Sequence, residues 1–455
     1  MTQYNTPGDH AAGSNTAGRN TTGRNTAGPT TPAAPTTPRG AARTGEAAVE
    51  PRTQMIDVSK LPPETAVERL IEHAVAMGSS DLFLCTNEEH VAVQVRHLGI
   101  IRPISVETSD RGRRMLSHIR AASGTEVSEK RRPHDGRWIY ETDAGESVDL
   151  RISVIPTMYG EDIGLRLLPR DRGLMSLGDI GMTKKQQGVF EGMISSPSGL
   201  ILITGPTGSG KTATLYSALQ KLNDGQRKVN TIEDPVEYVV PGLRQSQVNP
   251  AIDLGFSDLL RAVLRQNPDV IMIGEIRDAD TAQTAVRAAN SGIIVLATLH
   301  APSAAAAIQS MRAYDVHPHF LSTSLRGVVG QRLVRTLDPA SRREFDLSDA
   351  THTFDDIRDM LSPGEGNVLY APGPTEANQM TGYSGRTGVF EVLPVSRAIR
   401  QMIADGLPAR NIHERAVQEG MLEFRKAALL AVARGYTSTE EVTRVVPAEA
   451  LLLED

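Results

Sequence analysis

The pattern of apolar and polar residues divides this chain of 455 residues into four segments. In residues 1 to 55 large apolar side chains are scarce, and a short unit rich in Asn, Thr, Ala and Gly repeats between residues 14 and 28. Such a segment cannot bury enough apolar surface to offset the entropy that ordering would cost. We therefore predict a disordered, low-complexity tail.

Residues 56 to 170 combine one helical pattern with several alternating ones. Apolar positions at helical spacing predict a helix over about residues 64 to 77, and alternation in residues 91 to 96 and 147 to 153 predicts strands. This mixture predicts a small α+β domain.

Residues 171 to 335 alternate between apolar strands and helices. Because the strands are apolar on both faces, we predict a parallel sheet covered by helices. The predicted strands are 200–204, 229–233, 270–274 and 293–299, and the predicted helices are 211–222, 258–266 and 279–290. For residues 336 to 455 we predict an insertion and a helical C-terminal domain, with irregular structure over residues 330 to 390.

A phosphate-binding motif follows the first of these strands. Its residues are Gly205, Pro206, Thr207, Gly208, Ser209, Gly210, Lys211 and Thr212, with Ala213 continuing into the predicted helix. The glycines allow backbone N–H groups to point at phosphate oxygens, Lys211 adds positive charge, and Thr212 offers a hydroxyl to Mg²⁺. The motif predicts binding of a nucleoside triphosphate with Mg²⁺, and we take the nucleotide to be ATP.

Hydrolysis also requires a positioned water molecule, and the ends of the next strands supply candidates. Glu275 follows an apolar strand, so we predict that it orients and activates the water. The acidic stretch 231–238 is either part of the site or an ordinary strand-to-turn segment. His300 ends a core strand and could sense the γ-phosphate, although a lone histidine is more often structural.

Taken together, these motifs resemble the secretion ATPases of type II secretion and type IV pilus assembly, over about residues 56 to 447. The segments that carry the resemblance are 205–219, 231–238, 260–269, 274–278 and 297–300, with 79–81, 132–137, 149–153 and 382–391 outside the ATPase core. The resemblance implies an α/β fold: a RecA-like P-loop ATPase domain with a parallel-sheet core, preceded by a small α+β, PAS-like accessory domain and followed by a helical C-terminal region.

The resemblance also implies roles for individual residues. Lys211 and Thr212 would hold phosphate and Mg²⁺, Glu275 would act at the water, Glu233 would support water or metal, and His300 would lie near the γ-phosphate. Arg151 and Arg166 would swing over the nucleotide when the two domains close. The further charge partners would be Arg261, Arg265 and Arg386.

The sequence departs from this family at two places. Many members carry two cysteine pairs that bind zinc, and the corresponding positions here are Asp338, Ser341, Thr375 and Asn378. We predict no zinc site, so the loop from 338 to 380 must fold without zinc or stay mobile. The residues after His300, numbered 301 to 304, also lack the polar side chains usual in the family.

Composition limits the partners. With 48 basic and 54 acidic residues the net charge is −6, which disfavours stable nucleic-acid binding. We recognise no signal peptide and no apolar run near the roughly 20 residues that span a bilayer. The single cysteine, Cys85, excludes an internal disulfide. We expect a cytoplasmic protein that associates peripherally with the inner face of the cell membrane.

We therefore predict an ATP-hydrolysing homohexameric motor that powers type II secretion or type IV pilus (pseudopilus) assembly through an inner-membrane platform. The long insertion after residue 333 favours assembly over retraction. A pilus-retraction motor and a conjugation-type secretion ATPase remain alternatives, a nucleic-acid translocase ranks lower, and a catalytically silent nucleotide-binding regulator is the alternative from another class.

Overall fold

The computed structural model describes residues 55–169, 173–347 and 352–446, so the predicted N-terminal tail lies outside the described residues except for residue 55. Three sheets are present in these ranges, with six, seven and two strands.

An antiparallel sheet of six strands forms the N-terminal part, in the order β3-β2-β1-β6-β5-β4. Its elements are α1 (Pro63–Ala76), β1 (Asp81–Thr86), β2 (His90–His97), β3 (Ile100–Thr108), α2 (Ser109–Ala122), β4 (His134–Glu141), β5 (Ser147–Thr157) and β6 (Gly160–Pro169). Alternate residues of β2 are buried, as a half-covered strand requires. Helix α2 packs closely on β2, since a Cβ at Gly112 would lie 2.2 Å from Val91 Cγ2.

A sheet of seven strands follows, in the order β15-β12-β7-β11-β10-β8-β9. Its strands are β7 (Gly199–Thr204), β8 (Val229–Glu233), β9 (Arg244–Gln247), β10 (Val270–Ile273), β11 (Ile294–Leu299), β12 (Leu325–Leu337) and β15 (Tyr383–Pro394). The helices are α3 (Lys184–Ile194), α4 (Lys211–Leu222), α5 (Phe256–Leu264), α6 (Ala279–Asn290), α7 (Ala304–Ala313) and α8 (Pro318–Ser324). The central strands are buried throughout and pair in parallel, which confirms the predicted α/β core.

The prediction of irregular structure over residues 330 to 390 is wrong at both ends of that range. Strand β12 pairs in parallel with β7 and antiparallel with β15, so both strands belong to the central sheet. Most of β12 is buried on both faces, and its glycines and arginines hide any alternation of apolar and polar residues. The predicted domain boundary at residue 335 consequently falls inside a strand, and the sheet extends beyond it.

The C-terminal part is helical, as predicted. A two-stranded ribbon of β13 (Arg343–Asp346) and β14 (Val368–Ala371) precedes it. The helices are α9 (Arg397–Ala404), α10 (Ala409–Gln418), α11 (Phe424–Ala433) and α12 (Thr439–Val445). Across the described ranges, we find no helix whose length and apolar character would let it cross a bilayer.

The four positions that correspond to the zinc cysteines lie together and are hydrogen bonded. Asn378 is only 6% exposed, and its Nδ2 lies 2.9 Å from Asp338 Oδ2 and 2.8 Å from Ser341 Oγ. Its Oδ1 accepts hydrogen bonds from the backbone N–H groups of Thr375 and Gly382, at 2.9 and 3.0 Å. The donors around Asp338, Asn378 first, lower the pKa of its carboxyl group. Hydrogen bonds therefore join the two ends of the loop.

Replacing Asn378 with alanine should lower the free energy of unfolding by about 1–3 kcal/mol, because buried backbone donors would lose their acceptor. Urea denaturation measures this change. Asn411→Ala is the matched control, since Asn411 is exposed on α10 and should tolerate alanine. Equal stability of the two variants would contradict the structural role of Asn378.

Candidate active site

The phosphate-binding loop connects β7 to α4, and its glycines have the backbone angles that the motif requires. Gly208 and Gly210 have φ of +76° and +87°, in the left-handed region that favours glycine. A Cβ at Gly205 would lie 2.4 Å from the carbonyl oxygen of Gln331. The loop therefore lies closely against β12, with the N-terminus of α4 directed at it.

Lys211 and Thr212 begin α4 beside this loop. Lys211 Nζ donates to the carbonyl oxygens of Gly205 and Pro206, at 2.9 and 3.1 Å. Burial lowers the pKa of Lys211, and the nearby charge of Glu275 partly offsets this. The hydroxyl of Thr212 donates to Glu237 Oε1 at 3.3 Å. Both side chains thus lie among acidic groups at the carboxyl edge of the sheet.

Gln331 of β12 contacts the phosphate-binding loop. We did not predict it as a site residue. It is buried on β12, where its Nε2 donates to the carbonyl oxygen of Ser209 at 2.7 Å. Its Oε1 accepts from Thr214 Oγ1 at 2.8 Å. The sequence gives no distinct signal for this role, because arginines share the strand with Gln331.

Glu275 and His300 meet at this edge. Glu275 Oε1 lies 2.8 Å from His300 Nε2, and Oε2 lies 2.6 Å from Arg277 Nη2. Arg277 also pairs with Asp234 of the acidic stretch, at 3.1 Å. The carboxylate of Glu275 is therefore oriented from both sides, and Arg277 is a further residue that sequence reasoning missed.

The acidic stretch supplies two glutamates with different surroundings. Glu233 is 4% exposed and accepts hydrogen bonds from Thr231 Oγ1 at 2.6 Å, Gln245 Nε2 at 3.1 Å and the hydroxyl of Tyr216. Glu237 contacts Thr212. The glutamate beside Thr212 is thus Glu237. The support of water or metal that the resemblance implies for Glu233 stays a prediction.

The carboxyl group of Glu237 has a raised pKa. The residue reaches solvent, yet neighbouring protein atoms enclose the carboxyl group, and this desolvation raises its pKa. Glu233 raises the pKa further, whereas the Thr212 hydroxyl and the charges of Arg166 and Arg151 lower it.

Arg151 and Arg166 stand opposite each other on β5 and β6. Arg151 Nη2 lies 3.4 Å from the carbonyl oxygen of Val236, in the acidic stretch. Arg166 pairs with Asp81 at 3.5 Å and is more exposed than Arg151. The six-stranded sheet thus presents both arginines toward Glu237.

The other three predicted arginines have different neighbours. Arg261 pairs with Asp280 at 2.8 Å and with Asp258 at 3.5 Å, and Arg265 is exposed where α5 ends. Arg386 lies opposite Arg335 in the pairing of β12 with β15. Their contribution to nucleotide binding stays a prediction.

Comparison with known proteins shows the family to which the chain belongs. Residues 57 to 444 match the family model "Type II/IV secretion system protein". The chain is 38% identical over 383 residues to the type II secretion system protein E of Dickeya dadantii, covering 84% of this chain and 75% of the relative. It is also 38% identical over 382 residues to the type II secretion system ATPase E of Vibrio cholerae, covering 83% and 74%.

The chain belongs to the type II/IV secretion system protein family. The family predicted from the motifs is confirmed. Among solved structures, the ATPase DotB of Legionella pneumophila superposes with a TM-score of 0.64 at 20% identity, covering 87% of this chain and 99% of that one. At this identity the match shows the fold alone, and it confirms the predicted ATPase architecture. By family this secretion protein is an ATPase.

Replacing Tyr216 with phenylalanine should lower the free energy of unfolding by about 1–3 kcal/mol, because the buried Glu233 carboxylate loses a donor. Chemical denaturation measures the change. Tyr159→Phe makes the same substitution at a side chain that is 54% exposed and should leave stability unchanged. If both variants match the unmodified protein, the Tyr216 hydroxyl does not stabilise Glu233.

Proposed function

We propose that this family member hydrolyses ATP with Mg²⁺ and couples hydrolysis to movement between its N-terminal sheet and its ATPase core. One observation carries the proposal: Glu275, oriented by His300 and Arg277, lies at the same sheet edge as the phosphate-binding loop. Ligands of open parallel sheets bind at this edge.

The residues present fit ATP and Mg²⁺. The glycine angles of the loop and the N-terminus of α4 suit phosphate, and Lys211 would add positive charge. The oxygens of Thr212 and Glu237 form a hard donor pair of the kind that Mg²⁺ prefers, with Glu237 acting directly or through water. When bound, Mg²⁺ would neutralise charge on the phosphate oxygens.

The side chains then have distinct roles in hydrolysis. Glu275 would hold and polarise the attacking water, with its carboxylate oriented by His300 and Arg277. Arg151 and Arg166 would add positive charge at the transferring phosphoryl group from the other sheet. Because these arginines belong to the N-terminal sheet, their approach to the nucleotide would couple hydrolysis to domain movement.

The mechanical output that we propose is type II secretion or assembly of a related pilus, by a homohexamer acting on an inner-membrane platform from the cytoplasmic side. Relatives named type II secretion system proteins, each matched over about three quarters of their length, support this output over retraction or conjugation. The presence of Lys211, Thr212 and Glu275 together supports turnover over a silent regulator.

Replacing Glu275 with glutamine should lower ATP turnover at least about a hundredfold, because the water loses its base, while nucleotide binding persists. Phosphate release and binding of a fluorescent ATP analogue measure the two properties. Glu88→Gln, at an exposed turn between β1 and β2, is the control and should behave like the unmodified protein. Normal turnover by Glu275→Gln would remove Glu275 from the mechanism.

Replacing Arg151 with alanine should lower kcat at least about tenfold and change KM for ATP less than about threefold, because the arginine acts mainly in the transition state. Arg166→Ala should act in the same direction. Steady-state kinetics over a range of ATP concentrations measures both constants. Arg132→Ala removes an exposed arginine just before β4 of the same N-terminal region and serves as the control. A loss confined to KM would mean that Arg151 only binds nucleotide.

A further inference from the structure

The segment that connects His300 to α7 is held by groups from three strands. The backbone N–H of Ala301 donates to Thr204 Oγ1 at 2.8 Å, and the carbonyl oxygen of Pro302 accepts from Arg332 Nη2 at 2.5 Å. At its end, the N–H of Ala304 donates to Glu391 Oε2 at 3.1 Å. This connection, residues 301 to 304, is the one whose side chains depart from the family pattern.

Glu391 is a buried carboxylate that the proposed chemistry does not use. It lies on β15 with 2% exposure, and its second oxygen, Oε1, accepts from the N–H of Phe424 at 3.2 Å. Phe424 begins α11 as Ala304 begins α7, so a single carboxylate serves the first N–H groups of two helices. Burial raises the pKa of the Glu391 carboxyl group, and the two backbone N–H groups at the positive ends of the helix dipoles partly offset this.

Two residues of β12, Gly330 and Arg332, lie beside Glu391 and the 301–304 connection. Gly330 faces Glu391 in the pairing of β12 with β15. A Cβ at Gly330 would lie 3.1 Å from Ala304 N and 3.3 Å from Glu391 Oε2. Arg332 is also buried, and its guanidinium lies 5.0 Å from the ring centre of Phe424. Gly330 and Arg332, two residues apart on β12, therefore lie against Ala304 and Pro302 of the 301–304 connection.

We propose that Glu391 is a positioning residue for ATP hydrolysis, which holds the 301–304 connection so that His300 stays in contact with Glu275. The proposal rests on the proposed ATPase function. The hydrogen bonds of Glu391 are to backbone N–H groups at the starts of α7 and α11, so it acts through the start of α7. Four hydrogen bonds from side chains of three strands hold the backbone of this four-residue connection, and Glu391 supplies the one at its end.

The test is a double-mutant cycle between Glu391→Gln and His300→Ala, with kcat and KM for ATP as readouts. A glutamine has one acceptor oxygen, so one of the two helix N–H groups loses its partner. We expect Glu391→Gln to lower kcat about tenfold with KM within about twofold, since the phosphate loop keeps its contacts. In the His300→Ala background the same substitution should change kcat less than about twofold.

A matched control separates positioning from stability. Glu441 is another fully buried glutamate of the C-terminal region, paired with Arg335 and Arg444 and without contact to residues 301–304. Glu441→Gln should lower the melting temperature and leave kcat unchanged at a temperature where the protein stays folded. If Glu391→Gln fails to fold, Gly330→Ala displaces the same contact from the opposite strand and should lower kcat in the same way.

Three results would overturn the proposal: an unchanged kcat in Glu391→Gln and Gly330→Ala, an equal fold-change with and without His300, or a normal kcat in His300→Ala. Each leaves ATP hydrolysis by the unmodified protein intact. Absence of hydrolysis in the unmodified protein would instead contradict the proposed function.

Discussion

The parallel pairing of β7, β8, β10 and β11 is the constraint on which the site depends. Residue Ile273 of β10 lies beside both Ile232 and Ala297, and Thr204 of β7 lies beside Leu299. The four strands consequently end together. The phosphate-binding loop, the acidic stretch, Glu275 and His300 each follow one of these ends, so their proximity is a result of sheet register rather than of any contact among the side chains.

Strand β12 connects the phosphate-binding loop to other parts of the chain. Its neighbouring residues Gln331 and Arg332 point to opposite faces of the sheet, one contacting the phosphate-binding loop and the other contacting Pro302. One strand therefore contacts two segments that are far apart in the sequence. Because β12 also pairs with β15, the region beyond residue 337 supports the strand that contacts the phosphate-binding loop.

The N-terminal sheet contacts the rest of the molecule beside a cluster of acidic residues. Glu233, Asp234, Glu237 and Glu275 gather negative charge at one edge, and such a cluster requires donors and cations nearby. Arg151 supplies a contact there from the N-terminal sheet. A second contact lies elsewhere, where Arg102 donates to the carbonyl oxygen of Gln379 at 3.0 Å, next to the hydrogen-bonded Asn378.

Local motifs and runs of apolar residues were enough to predict the phosphate-binding loop, the α/β core and the family. Helices over 211–222 and 279–290 and the strand over 229–233 have the predicted bounds. Strands β12 and β15 were not predicted, because their buried polar residues break the periodicity. That Glu237 rather than Glu233 lies beside Thr212 depends on the tertiary structure, because Glu233 ends β8, Glu237 follows in the next turn, and the fold brings different neighbours to each.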